Sequence, residues 1–371
     1  MAGSGGLQYY RLPQYKSVDV VRWLRPLSAF DRFIAAAVHN PDVVSSAAIE
    51  IFSLNPKPNT ENPDHDKLLN LRSSWPSPSR ITSLRTSESS RKHLVVALST
   101  FAGSVYFLYV DPVDASIDLE LSVDEERPLH SGPVSAVDIQ AGGYECVTVG
   151  EDGRVNLVSV CQATLESRVL HDSRGLVSYT AAKWGSQEEF ATGGLGFGLQ
   201  WWDRRKAGGL VSQFKGNWAQ GSMTGLVHSI DIYPSRNHIC VVGGSSGMVL
   251  AWDRRWQQQP IFLSGGGLTG TGQATSESDV WEVQYDIGTQ TSGINSAPTS
   301  KIFPVMMCSE DGILAVVEQG EAPIELLAED CAINSFDINP QHPSEVVCGI
   351  EWESIGILMR QRESLSLLTE T

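Results

Sequence analysis

Residues Gly225 to Arg255 read GLVHSIDIYPSRNHICVVGGSSGMVLAWDRR, and the fold follows from this stretch. Leu226 to Ile232 alternates as a strand, and Tyr233-Pro234-Ser235-Arg236-Asn237 supplies the Pro, Ser and Asn that a turn needs. His238 to Val242 is a β-branched second strand bounded by glycines. Ser245-Ser246-Gly247 makes a tight turn, and Met248 to Trp252 is a third apolar strand ending in Trp252-Asp253. Three strands joined by tight hairpins form a small antiparallel sheet. Such a sheet cannot bury both faces alone, so it must stack against copies of itself.

A copy lies upstream as AAKWGSQEEFATGGLGFGLQWWDRR, with Trp202-Asp203 about 50 residues before Trp252-Asp253, close to the roughly 40 to 45 residues of one propeller blade. A third strand closed by Trp-Asp after a glycine hairpin resembles the WD40 repeat, which implies an all-β, seven-bladed WD40 β-propeller. The chain then reads as one domain over 1–371, with blades at about 18–54, 81–126, 129–170, 176–214, 225–263, 279–328 and 332–360. Phe52, Leu108, Val158 and Val317 stand where the Trp of Trp-Asp would be. Leu7 to Tyr15 is a lone aromatic strand (about 7–15), expected to pair with the far end and close the ring, which removes an unpaired edge. The segment at about 264–278 is too poor in large apolar groups to pack and reads as a flexible insertion. Residues 361–371 read as a short tail.

The 371 residues are 41% hydrophobic and 19% charged, ample for a buried core. The net charge of −16, from 43 acidic against 27 basic side chains, disfavours direct nucleic-acid binding, because such a surface repels phosphates. Cys146, Cys240, Cys308 and Cys348 fall in second strands of repeats, and none of the six cysteines has metal or redox spacing. Buried thiols in a reducing compartment are expected. The opening MAGSGGLQYYRL lacks the blocks of a signal peptide, and no apolar run approaches the roughly 18 residues that span a bilayer. A soluble, intracellular chain without membrane insertion is expected, monomeric when isolated.

The cluster from Gly193 to Gly198 joins strand to strand, whereas a phosphate cradle needs a following helix. The eight histidines are scattered, and no Ser sits in a GxSxG elbow. No catalytic, cofactor-binding or metal-binding residue is expected, and the chain reads as a non-enzyme. The WD40 resemblance implies structural positions instead, a buried network of histidine, Ser or Thr, hairpin Asp and Trp. His130, Thr148 and Asp152 match it in the third repeat, where Val158 replaces the Trp. Trp202, Asp203, Trp252, Asp253 and the hairpin Asp311 take the corresponding positions elsewhere, while Ser246 replaces the hairpin Asp in the fifth repeat. The network is expected to be incomplete in every blade.

Beyond the repeat, the whole chain resembles the nucleoporin 43 family of WD40 proteins, as a plant-type member. The features that carry this are the opening VDVVRWLRP, the degenerate early repeats, the paired WWDRR and AWDRR blades and the closing FDINPQHPSEVVCGIEWESI. The resemblance implies a scaffold subunit of the Y-shaped outer-ring complex, located in the nucleus at the nuclear pore complex of the nuclear envelope. It also implies docking onto a helical-solenoid nucleoporin, in support of pore assembly, mRNA export and protein transport. Two other readings stay open. Arg205 and Arg255 complete the WDxR pattern of substrate receptors for cullin-RING ubiquitin ligases, in which they would contact the adaptor, although an arginine after the Trp-Asp strand can simply be solvated or paired locally. An acidic disc also suits a histone-tail or peptide reader using its central channel.

Overall fold

Seven copies of one six-residue pattern build the molecule: VDVVRW, ITSLRT, VSAVDI, YTAAKW, VHSIDI, VWEVQY and INSFDI. The first and fourth places are apolar and the fifth is charged or an amide. Each copy is the innermost strand of a blade. The structure, a computed structural model, describes residues 7–25, 32–43, 45–55, 68–88, 93–123, 128–161, 164–195, 198–206, 208–214, 225–255, 260–263, 278–286 and 302–360.

Seven four-stranded antiparallel sheets form the ring. From the axis outward, blade 1 holds Ser17–Trp23, Phe33–His39, Ala48–Leu54 and Leu69–Pro76, and blade 2 holds Ile81–Glu88, Leu94–Thr100, Val105–Val110 and Ile117–Ser122. Blade 3 holds Val134–Ile139, Glu145–Gly150, Arg154–Cys161 and Thr164–Asp172, and blade 4 holds Tyr179–Trp184, Glu189–Gly194, Leu199–Asp203 and Leu210–Phe214. Blade 5 is Val227–Ile232, Ile239–Gly244, Val249–Asp253 and Ile261–Phe262, and blade 6 is Val280–Tyr285, Val305–Ser309, Ile313–Val317 and Ile324–Ala328. Blade 7 takes Ile333–Ile338, Glu345–Ile350 and Ser354–Arg360 from the end of the chain and its outer strand, Leu7–Pro13, from the beginning. The expected propeller and its N-terminal closure are therefore both present. The closing strand pairs antiparallel from Leu7↔Arg360 to Pro13↔Ser354, and Tyr9 and Arg11 both bond Glu329 of blade 6, at 2.5 and 2.8 Å.

Blade 1 extends beyond the expected bound at Leu54. Its outer strand, Leu69–Pro76, lies across a Pro- and Asn-rich segment, and its largely exposed or half-buried LNLRSSWP lacks a clean alternation. The insertion expected at about 264–278 lies outside the described residues apart from Ser278. So do the tail at 361–371, residues 1–6, and Gly196 and Phe197 of the glycine cluster.

One apolar core fills each gap between neighbouring blades. Between blades 3 and 4 it holds Val147, Val155, Leu157, Trp184, Phe190 and Trp202, and between blades 7 and 1 it holds Val18, Trp23, Ile34, Phe52, Val347 and Ile357. This is how a sheet with two apolar faces satisfies both. Register aligns the Trp positions: Trp202 pairs with Phe190 and Trp252 with Cys240, and the same place is taken by Phe52, Leu108, Val158, Val317 and, in blade 7, Leu358. Cys146, Cys240, Cys308 and Cys348 are fully buried in second strands, and burial pushes their thiols above the ordinary range, Cys240 up to about 12.

Candidate functional site

Every innermost strand carries a β-bulge after its first apolar residue, with shifts at Val18/Val20, Ile81/Ser83, Val134/Ala136, Tyr179/Ala181, Val227/Ser229, Val280/Glu282 and Ile333/Ser335. A bulge re-aims the side chain it inserts. Six of the inserted residues, Thr82, Ser135, Thr180, His228, Trp281 and Asn334, line an axial cavity of about 120 Å³.

Three residues further on, the fifth place of the pattern puts Arg22, Arg85, Asp138, Lys183, Asp231, Gln284 and Asp337 around the axis. Together they tie all seven blade interfaces. Arg22 Nε donates to Leu84 O (3.2 Å), and Arg85 faces Asp138 (3.5 Å). Asp138 accepts from Trp184 N (2.7 Å), and Lys183 pairs with Asp231 (3.2 Å). Asp231 accepts from Tyr285 N (2.8 Å), Gln284 from Ile338 N (3.3 Å) and Asp337 from Trp23 N (2.8 Å). The ring is braced across the axis by Glu282. Arg22 grips it bidentately at 2.6 and 3.0 Å and Arg85 adds a bond of 3.1 Å, while the Phe336 amide donates to it at 3.2 Å. Burial alone would push the Glu282 carboxyl up, but the two guanidinium groups hold it below its ordinary value. The brace joins blade 6 to blades 1 and 2 across the axis.

Blade 3 brings His130, Thr148 and Asp152 together. His130 Nδ1 lies 2.9 Å from Asp152 Oδ1 and Nε2 lies 2.9 Å from Thr148 Oγ1. Asn156, directly opposite Thr148 in the hairpin, places Nδ2 3.0 Å from the same Nε2. With the amide oriented that way Nε2 is the acceptor, so the ring is neutral and Nδ1–H donates to Asp152. Burial pulls His130 below its ordinary pKa, consistent with that state. Burial would push Asp152 up, but bonds from His130 and from the Ser131 and Arg154 amides hold it low. Asn156 thus adds a fourth member to the set, two residues before Val158. Its signal was a lone amide in the apolar strand VNLVSV.

The other expected positions are more dispersed. Trp202 Nε1 donates to Thr192 Oγ1 at 2.9 Å and its ring stacks on Phe190, whereas Trp252 packs against Phe214. Asp311 accepts from Ser309 Oγ, and its own amide donates to Ser278 Oγ at 2.9 Å. In blade 5 the hairpin lacks its Asp, and Asp279 arrives from the loop entering blade 6. It bonds His228 Nε2 at 2.9 Å and the Ser246 amide at 3.1 Å.

Arg205 and Arg255 fold back on the Trp-Asp carboxylates. Arg205 Nε and Nη2 both lie 2.9 Å from Asp203, and Arg255 reaches Asp253 at 3.0 and 2.7 Å. Hydrogen bonds from Arg205 hold the Asp203 carboxyl down at about 2. Their neighbours are also engaged, Arg204 by Glu145 and Glu188 and Arg254 by Glu189. Between blades 3 and 4 a cleft of about 400 Å³ is lined by Tyr144, Gln140, Gln187 and the Arg204, Glu145 and Glu188 charges. Among the described residues no group of three or more His, Cys, Asp or Glu is placed to hold a metal ion, and no helix is long and apolar enough to cross a membrane.

No family model matches the chain. It is 52% identical over 360 residues to the nuclear pore complex protein NUP43 of Arabidopsis thaliana, covering 95% of this chain and 98% of that protein. It is 29% identical over 208 residues to the nucleoporin Nup43 of Mus musculus, covering 52% of this chain and 47% of that one. It is 26% identical over 235 residues to the nucleoporin Nup43 of Homo sapiens, covering 60% and 53%.

Proposed function

The chain belongs to the Nup43 family of nuclear pore complex proteins, and from that membership we propose that it is a non-enzymatic scaffold subunit of the outer-ring, Y-shaped complex. It resides at the nuclear pore complex of the nuclear envelope and acts through protein partners there. In this reading it docks onto a helical-solenoid nucleoporin and supports pore assembly, mRNA export and protein transport. The observation that supports a scaffold is the axial ring. Seven interfaces each carry a polar tie, and a buried carboxylate gripped by two arginines braces them, which favours a platform of fixed shape.

The pairing of the Arg205 and Arg255 guanidinium groups with Asp203 and Asp253 supports the scaffold reading over the ubiquitin-ligase receptor. The test is localisation of a fluorescently tagged chain and of its Arg205→Ala/Arg255→Ala variant. Both are expected at the nuclear rim. A variant that keeps its melting midpoint but leaves the rim would overturn the scaffold assignment in favour of an arginine-dependent contact.

A further inference from the structure

The hairpin joining the second and third strands of blade 7 departs from its siblings at two adjacent places. Blades 2, 3 and 6 put a glycine at the third hairpin position, Gly103, Gly153 and Gly312, each in the left-handed region at φ +88°, +80° and +82°. Blade 7 puts Glu353 there, at φ +53°. The position before it holds Asp152 or Asp311 in blades 3 and 6, where the carboxylate bonds within its own blade. In blade 7 it is Trp352, 59% exposed. Glycine satisfies this position in blades 2, 3 and 6 and an aspartate serves the fold in blades 3 and 6, so neither substitution is required by the propeller.

The surroundings make these changes one surface. Gln14 N donates to Glu353 O at 2.7 Å, and the next residue, Tyr15, is 82% exposed and also left-handed, at φ +58°. Glu351 N donates to Ala332 O at 3.0 Å and Glu329 N to Gly312 O at 2.9 Å, so the loops of blades 6 and 7 adjoin. Glu310, Asp311, Asp330, Glu351 and Glu353 are all exposed along this run. The nearby cations are already engaged, Arg11 by Glu329 and Lys16 by Glu50.

We propose that this patch is a docking surface for a basic segment of a partner protein, with arginine or lysine side chains lying on Trp352 and Tyr15 and reaching the surrounding carboxylates. Exposed tryptophan and tyrosine are the residue types that anchor interfaces, and a guanidinium stacks on an indole face. The charge selects the occupant. Five carboxylates repel a second copy of the same face, an anionic membrane or nucleic acid, and attract a cationic chain. The inference goes beyond the pore reading and does not depend on which protein supplies the segment.

The experiment is fluorescence anisotropy of a labelled octa-arginine peptide titrated with the full chain at moderate salt. Saturable binding is expected, weakened about tenfold or more by Trp352→Ala, as for an interface anchor, and comparably by the double change Glu351→Gln/Glu353→Gln. Glu166→Gln, which removes an exposed acid on the outer strand of blade 3, is expected to leave it unchanged. Melting midpoints measured on the same samples separate loss of binding from loss of fold. Absence of saturable binding, or binding indifferent to Trp352→Ala, overturns the proposal. A wild-type chain absent from the nuclear rim would instead sink the pore assignment and leave the peptide result standing.

Discussion

The same hairpin in blades 3 and 7 begins with a glutamate and then diverges. In blade 3, Glu151-Asp152-Gly153 turns the aspartate inward to a buried histidine and leaves the left-handed position to glycine. In blade 7, Glu351-Trp352-Glu353 turns an indole outward and places a charged residue in the strained position. One hairpin holds the fold together and the other presents chemistry to the surroundings. The lesson is that repeats which are equivalent in topology divide the labour.

The axial brace, on which both blades depend, gives the largest expected effect. Glu282→Ala leaves Arg22 buried without its carboxylate and is expected to cost about 3–5 kcal/mol in chemical denaturation. A loss below about 1 kcal/mol would mean that the brace is not structural. In blade 3, His130→Ala strands Thr148, Asp152 and Asn156 and is expected to cost about 2–3 kcal/mol. Asp152→Ala removes one bond of the set and is expected to cost about 1–2 kcal/mol. In blade 7 the sign reverses, because Glu353→Gly relieves a left-handed glutamate and should stabilise the fold by about 1 kcal/mol. Trp352→Ala, on an exposed site, should stay within about 0.5 kcal/mol of wild type. A Trp352→Ala variant as damaged as His130→Ala would erase the contrast between the two hairpins.

Acid sharpens the same contrast. The folded-state pKa of His130 lies below its ordinary value, so on acidification the unfolded chain takes up the proton first. The stability contributed by the neutral ring is therefore complete above the ordinary histidine pKa of about 6.5 and is lost as pH falls from there. The contribution of Asp152, also held low, is lost further down, below its ordinary value near 3.8. Melting midpoints measured between neutral and mildly acidic pH should fall in wild type and fall less in His130→Asn. Trp352→Ala should follow the wild-type slope.

The propeller was legible because each blade announces itself locally. Trp202-Asp203, Trp252-Asp253 and the glycine hairpins fix three strands each, and the lone strand Leu7–Pro13 had to pair somewhere. His130, Thr148 and Asp152 were within reach for the same reason, since all three sit in one repeat. The features that no single repeat shows are those that link different repeats. Arg22 and Glu282 are 260 positions apart, and Asp279 supplies a hairpin carboxylate to the blade before its own. The axial ring was nevertheless written in the sequence, as the fifth place of the seven inner strands. Only aligning those strands with one another, rather than reading each against a consensus, reveals that the charges of Arg22, Arg85, Asp138, Lys183, Asp231 and Asp337 occupy one circle. The outer strand Leu69–Pro76 was hidden by its polarity, because a fourth strand at the rim needs little apolar surface.

The most direct test of the scaffold assignment is quantitative mass spectrometry of proteins co-purified with the tagged full chain at moderate salt. Stoichiometric recovery of helical-solenoid nucleoporins is the predicted result. Recovery of a cullin-RING adaptor in their absence would contradict it and make the chain a substrate receptor.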